Sequence, residues 1–261
     1  MGEILNVTNL NKYIGRYSNR KAIEDRTDWY IYDLIYTKIP ILALRNQYDD
    51  EKNWPMVWGK DKFLAHAIEL TLNTVKSWQA FRPNDSQSLI RKLKIGLPPI
   101  ILNFQNKMLQ FEIWRIRDLR NKRKEDQNHI LMEMSEAVGK VACYKNENNP
   151  MMGSKILHFL FPEFFSVWDT YWIKNKCLKH EKIEIPDKFK KQLSHHNRAA
   201  REYFSYLHLM SKDILATSNE DLKKLEKVCI SHSHINQKIL KEFFWDTTPI
   251  LFEICLLGKH C

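Results

Sequence analysis

Glycine is scarce in this chain, and its scarcity restricts the folds open to the sequence. Only seven of the 261 residues are glycine. Tight turns and nucleotide-binding loops use glycine for backbone conformations that other residues adopt poorly, so a β-sandwich or a Rossmann unit is disfavoured. A hydrophobic share of 44% and a charged share of 28% are typical of a globular protein. We therefore expect an all-α fold.

Apolar residues recur at three- and four-residue steps over several stretches, which indicates amphipathic helices. The pattern predicts helices over residues 60–81 and 126–143, and one long helix from Asp187 to Ile214. It also predicts a closing helix over 245–257, with Pro249 at its first position and Gly258 at its end. A buried helix is expected over 29–44, where a strand is the alternative.

Other segments are expected to interrupt the helices. Residues 1–28 alternate short apolar and polar groups and predict a loosely ordered N-terminal segment. The run Gly96-Leu97-Pro98-Pro99 predicts a helix stop, and a new helix is expected from Pro99 to about Arg123. The whole chain, 1–261, is expected to form a single all-α unit with two helical lobes flanking a cleft.

The charge balance indicates a polyanionic partner. Lys and Arg number 41 against 31 acidic residues, which gives a net charge of +10 and a pI of about 9.2. The most basic run is 114–124, in which tryptophan is interleaved with cations suited to phosphates and bases. The candidate DNA-binding cations are Arg115, Arg117, Arg120, Arg123 and Lys124. A solvated helical face is the alternative interpretation.

The sequence contains neither a secretion signal nor an apolar run long enough for a membrane span. Five scattered cysteines fit reduced thiols rather than a disulfide framework. We expect a soluble, cytoplasmic monomer. Cys177-x-x-His180 and Cys229-x-x-His232 form an alternative zinc-binding pattern, with His234 as a further ligand.

The stretch 153–172 joins a clear structural pattern to possible chemistry. Ser154 is a suitable N-cap, and the apolar run after it ends at Pro162, which predicts a short buried helix with Lys155 in its first turn. The helix dipole there lowers the pKa of an amine, as a nucleophilic lysine requires. Asp169 precedes Thr170-Tyr171-Trp172 and is predicted to cap the next helix.

Gly153-Ser154-Lys155 and Asp169-Thr170-Tyr171 resemble the catalytic Gly-x-Lys and Asp-Thr-His segments of the helix-hairpin-helix DNA glycosylases. The resemblance covers residues 153–172. The chain departs from the family in the turn before Gly153, in a shorter lysine-to-aspartate interval, and in Tyr171, where histidine is usual. The resemblance therefore implies a divergent member with a degenerate helix-hairpin-helix.

The resemblance implies that the protein excises a modified or damaged base from DNA after flipping the nucleotide out of the duplex. Lys155 would attack the sugar and form a Schiff base, and Asp169 would stabilise the cationic sugar. Backbone groups near Gly153 and Ser154 would contact DNA, and no cofactor or metal is implied. The alternative function is a non-catalytic helical protein that binds nucleic acid. A third is a helical protein that binds another protein, with incidental charge.

Overall fold

The structure is a computed structural model that describes residues 2–18, 61–77, 86–145, 148–231 and 248–260. Every regular element in these ranges is a helix, which confirms the all-α prediction. The predicted helix over 29–44 lies outside the described residues, as do residues 245–247 at the start of the predicted closing helix. No helix of the described ranges has both the length and the apolarity needed to cross a bilayer.

Nine α-helices and three helices of other types follow one another along the described chain. The α-helices are α1 (Val7–Ser18), α2 (Asp61–Ser77), α3 (Ser86–Gln110), α4 (Lys124–Ala142), α5 (Met151–Leu160), α6 (Asp187–Leu193), α7 (Arg198–Ala216), α8 (Asn219–Ser231) and α9 (Thr248–His260). Two 3-10 helices span Ile116–Asn121 and Leu178–His180, and a π-helix spans Thr170–Cys177.

Helix α4 lies at the centre of the packing and contacts α3, α5 and α7. Helix α9 packs against α1, α7 and the π-helix. Buried side chains from all nine α-helices belong to one hydrophobic cluster. The division of the chain into two lobes with a cleft between them remains a prediction.

The predicted stop at Gly96-Leu97-Pro98-Pro99 is wrong, because α3 continues through both prolines to Gln110. Leu93, Leu97 and Ile101 are fully buried along one face of this helix. A proline in a helix interior costs about 3 kcal/mol, whereas each buried aliphatic side chain contributes about 1.5–3 kcal/mol. Burial of this face therefore outweighs the lost backbone hydrogen bonds.

The predicted helix from Pro99 to Arg123 is also wrong. The chain turns at Glu112, which has a left-handed φ of 48°. The N–H of Glu112 donates to the carbonyl of Leu109, and the N–H of Ile113 donates to that of Met108. This is a Schellman ending, which usually uses glycine. The basic run therefore forms a 3-10 helix followed by the start of α4.

The N-terminal segment is more ordered than predicted over its described part. Helix α1 has 12 residues, which is about three turns. Ile4, Leu5 and Leu10 are buried. The carboxylate of Asp213 accepts hydrogen bonds from the N–H groups of Ile4, over 2.9 Å, and Leu5, over 2.6 Å. A polar anchor on α7 therefore fixes a segment whose own sequence is weakly patterned.

Two further boundaries differ from prediction. The long helix predicted from Asp187 is divided in two, because the Asn197 side chain caps α7 by accepting a hydrogen bond from the N–H of Ala200 over 2.9 Å. Gly258 does not end α9. A Cβ at Gly258 would collide with the carbonyl oxygen of Asn9, so this glycine permits α9 to lie close to α1.

Candidate functional site

The site built around Lys155 begins at the turn between α4 and α5. The side chain of Asn149 accepts a hydrogen bond from the N–H of Met151 over 2.9 Å, and α5 begins at Met151, four residues earlier than predicted. Ser154 is therefore not the N-cap, and Lys155 is not in the first turn. Since the field of the helix terminus falls off within that turn, it is not the main influence on the lysine.

Ser154 instead connects α5 to the segment that leads to Asp169. Its hydroxyl is fully buried, donates to the carbonyl of Met151 over 3.1 Å, and accepts from the N–H of Trp168 over 2.9 Å. A second link joins the same two segments, because the Asn149 amide donates to the hydroxyl of Thr170 over 3.3 Å. These bonds hold the start of α5 beside the start of the π-helix.

Gly153 lies inside α5 and has a helical backbone. A Cβ at this position would collide with the carbonyl oxygen of Val138. The glycine therefore allows α5 to approach α4 closely. Gly153 and Ser154 are both buried, so neither residue presents a surface to DNA.

Asp169 caps the π-helix, as predicted. Its Oδ1 accepts hydrogen bonds from the N–H groups of Tyr171 and Trp172, each over 2.8 Å. Trp168, immediately before it, is 2% exposed and packs edge-on against Tyr206 at 5.8 Å. The carboxylate is thus held at a fixed position where a buried aromatic segment reaches the surface.

Lys155 is partly buried and lies in the electrostatic field of three charged groups. Burial lowers the pKa of its ammonium group, and this effect exceeds the opposing effect of the Asp169 and Glu253 carboxylates, while Lys145 lowers it further. The structure therefore brings together the two residues that the sequence nominated as catalytic. The depressed pKa has a different cause from the predicted one, namely desolvation.

Glu253, on α9, is a part of this site that the sequence analysis missed. It is 8% exposed, and its Oε2 accepts hydrogen bonds from the Ser166 hydroxyl over 3.1 Å and the Val167 N–H over 3.2 Å. The hydroxyl of Tyr203 donates to the Ser166 carbonyl over 2.6 Å. The acidic residue within an otherwise apolar helix is a signal that could have identified it.

The basic run serves two separate purposes. Arg120 donates to the carbonyls of Ile214 and Thr217 and to the Asn219 side chain, where it bridges the end of α7 and the start of α8. Arg117, with its side chain 13% exposed, pairs with Glu226 at 3.3 Å. Both guanidinium groups therefore have partners within the fold.

The other three candidate DNA-binding cations, Arg115, Arg123 and Lys124, face solvent. Arg115 pairs with Asp118, and Arg123 pairs with Asp126, each at 3.0 Å. The Arg123 side chain is 85% exposed, and Lys124 is exposed at the first position of α4. These three residues are the part of the predicted DNA-binding set that remains accessible.

An exposed aromatic residue lies next to the capping aspartate. Tyr171 is 56% exposed and packs edge-on against Trp172 at 5.0 Å. The ammonium of Lys176 lies 5.5 Å from the centroid of the tyrosine ring. An aromatic face with a nearby cation is the combination that single-stranded nucleic-acid sites use to stack bases.

Part of the zinc-binding pattern can be located. Cys177 is buried, with its sulfur 3.8 Å from the Leu256 carbonyl, and His180 stacks on His260 at 5.6 Å. His232 and His234 lie outside the described residues. Over the described ranges, no three His, Cys, Asp or Glu residues are grouped so as to hold a metal ion.

The arrangement supplies an amine of lowered pKa, a fixed carboxylate beside it and an exposed aromatic ring. Together these groups suit attack on an electrophilic carbon that bears developing positive charge. No protein-family model, no curated protein and no solved structure matches this chain.

Proposed function

We propose that this protein is a DNA glycosylase that releases a modified or damaged base and can cleave the resulting strand through a Schiff base. The observation that carries the proposal is that hydrogen bonds between Ser154 and Trp168, and between Asn149 and Thr170, hold the Lys155 helix beside the Asp169 segment. Burial lowers the pKa of the lysine, and the carboxylate acts on it directly. In this hypothesis α4, the turn after it and α5 are the arms of the degenerate hairpin.

Lys155 is the nucleophile. Its neutral amine attacks C1′ of the flipped nucleotide, a bond forms between Nζ and C1′, and the bond between C1′ and the base breaks. The base leaves with a proton from the attacking amine, and the sugar ring then opens to an iminium ion while O4′ takes a proton from solvent. Loss of a C2′ proton then expels the 3′ phosphate. Partial desolvation favours this chemistry because it increases the neutral fraction of the amine.

Asp169 stabilises the positive charge that develops on the sugar as the glycosidic bond breaks. A carboxylate that is already oriented by two backbone N–H groups needs little reorganisation to do so. If Lys155 does not attack, Asp169 can instead orient a water molecule, which would make the enzyme a simple glycosylase without lyase activity.

The exposed ring of Tyr171 is placed to stack on a base beside the reacting sugar, since it follows Asp169 by two positions and is open to solvent. Arg115, Arg123 and Lys124 are the proposed contacts to backbone phosphates. Arg117 and Arg120 are left out of this set because their guanidinium groups bind within the fold.

The same three exposed cations are the observation that favours the second candidate function, non-catalytic binding of nucleic acid. The two hypotheses differ in their dependence on Lys155. In a purely binding protein, this residue would contribute one partly buried charge and no covalent intermediate.

The test is borohydride trapping on a duplex with one abasic site, because this substrate reports lyase chemistry whichever base the enzyme removes. Wild-type protein should give a covalent product, and Lys155→Ala should reduce its yield by about 100-fold or more, since the nucleophile is lost. The matched control is Lys145→Ala, an exposed lysine whose charge acts on Lys155. It should retain most of the trapping.

Base release is measured on duplexes carrying oxidised purines, alkylated bases or bulky modified pyrimidines. Asp169→Asn keeps a capping side chain and should lower release by about 100-fold. If no duplex loses a base and trapping is equal for wild type and Lys155→Ala, the enzymatic proposal is rejected and the binding hypothesis replaces it.

A further inference from the structure

A second candidate site lies at the other end of α4 from Lys155. A cavity of about 320 Å³ opens between the first turns of α4, residues 182–186 and the second half of α7. Helix α4 has 19 residues, so its two ends are about 27 Å apart at about 1.5 Å per residue. The cavity is therefore separate from the surface around Lys155 and Asp169.

Three lysines line this cavity: Lys124, Lys182 and Lys212. All three are exposed. Within the described ranges none of them forms an ion pair, although most other lysines near α4 and α6 do. Glu184 is the acidic residue of the lining, which leaves an excess of two positive charges. Placing three ammonium groups around one concave surface costs electrostatic free energy, and an anionic ligand would remove that cost.

His208 also lines the cavity. Its ring packs parallel to Phe204 at 6.1 Å and donates to the backbone of Glu184. Its Nδ1 is buried and has no hydrogen-bond partner in the described part of the chain. Burial, together with Lys212 and Lys124, lowers the pKa of this imidazole. His208 therefore contributes an aromatic ring to the cavity wall rather than an Nδ1 that a ligand could reach.

The remainder of the lining is largely apolar. Its apolar residues include Leu131, Ile183, Pro186 and Leu215. Leu215 is 37% exposed, although leucine is more often buried. A groove for an extended phosphodiester backbone needs mostly polar contacts. A concave site with apolar walls and a few convergent polar groups instead suits a small ligand that has both an apolar body and a charged group.

We propose that this cavity binds a phosphomonoester with a flat organic body, of the nucleoside monophosphate class. The phosphate lies among the ammonium groups of Lys124, Lys182 and Lys212. The base lies against Ile183, Pro186 and Leu215. The volume suits one nucleotide, since small-ligand pockets begin at about 300 Å³.

The experiment measures the affinity of the full chain for AMP by isothermal titration calorimetry, with adenosine and inorganic phosphate as separate probes. AMP should bind at least about 10-fold more tightly than either fragment, because each fragment makes half of the contacts. The salt dependence should be strong for AMP and weak for adenosine. Equal binding of adenosine and AMP, or no binding of AMP at millimolar concentration, overturns the proposal.

The variants are Lys182→Ala and Lys212→Ala, chosen because Lys124 also belongs to the proposed DNA contacts. Each should weaken AMP binding by about 10-fold, as expected for loss of a charge-assisted contact. Lys191→Ala is the matched control, because Lys191 is an exposed lysine of α6 that does not line the cavity. If Lys191→Ala weakens binding as much as the other two, the effect comes from general charge and the site is rejected.

The phosphomonoester could be a free nucleotide or the 5′ end of a nucleic-acid strand. Competition by a 5′-phosphorylated oligonucleotide, but not by the same strand without the phosphate, assigns the strand terminus. Absence of competition by either strand assigns the free nucleotide. The proposal is independent of the glycosylase hypothesis, because Lys155→Ala should leave AMP affinity unchanged.

Discussion

The hydroxyl of Ser154 accepts a hydrogen bond from the backbone N–H of Trp168 over 2.9 Å, and this bond joins the Lys155 helix to the Asp169 segment. Ser154 and Trp168 are 14 positions apart in the chain, which is more than a local turn spans. Both are buried. The relative position of the two candidate catalytic groups therefore depends on a polar contact in the interior.

Ser154→Ala should lower the free energy of unfolding by about 1–3 kcal/mol, because it leaves the buried N–H of Trp168 without an acceptor. Urea denaturation measures the change. Ser205→Ala is the control, since among the described residues the Ser205 hydroxyl bonds only to the carbonyl of Arg201 in its own helix. That substitution should alter stability by less than about 0.5 kcal/mol. Equal effects of the two variants would show that the interior bond is unimportant.

Gly153→Ala should destabilise the protein by about 1–3 kcal/mol, although alanine is the better helix former by about 1 kcal/mol. The reason is the collision between a Cβ and the Val138 carbonyl, which forces α5 away from α4. Thermal unfolding followed by circular dichroism measures the change. An increase in the midpoint temperature would mean that the helices are not in close contact at this point.

Arg120→Ala should destabilise the fold by about 2 kcal/mol or more, because it removes a charged donor from two backbone carbonyls at the end of α7. Arg123→Ala is the matched control. Its side chain is 85% exposed and its ion pair with Asp126 is local, so its loss should leave stability almost unchanged. Urea denaturation of both variants distinguishes a structural arginine from a surface arginine within one basic run.

Asp169→Asn and Glu253→Gln should both lower the pKa of Lys155. Each substitution removes a negative charge that favours the protonated amine, so the neutral form appears at lower pH. The shift should be larger for Asp169→Asn, because Asp169 is the stronger of the two influences. The measurement is the pH dependence of Lys155 reductive methylation, read by mass spectrometry.

The expected result is a labelling curve displaced to lower pH in both variants, with Lys174 as an internal control. Lys174 pairs with Glu202 at 2.7 Å and should be labelled alike in all proteins. A curve that is unchanged in both variants would show that neither carboxylate acts on the amine.

The sequence identified most helices that bury a regular apolar face. Helices α2, α4 and α9 occur where periodicity predicted them, apart from their ends. The capping role of Asp169 was also predicted correctly, because an N-cap depends on the side chain and the next three residues only. Ser218 and the acidic residues after it likewise mark the start of α8.

The errors occurred where distant contacts override a local preference. Pro98 and Pro99 remain in a helix because the face around them is buried. Glu112 ends α3 in a conformation that glycine usually takes, since the Schellman bonds and the burial of Ile113 hold it there. Gly258 continues α9 because a neighbouring helix needs the space. The Asn9 carbonyl beside Gly258, for example, belongs to a helix near the other end of the chain.

For the candidate site, the sequence by itself determined the identities of the amine and the carboxylate and the cap that orients Asp169. Only the tertiary structure lowered the pKa of Lys155 through burial and added Glu253 from the last helix. Helix caps and periodicity are set by residues within a few positions. Desolvation and the field of a distant carboxylate exist only once the chain has packed.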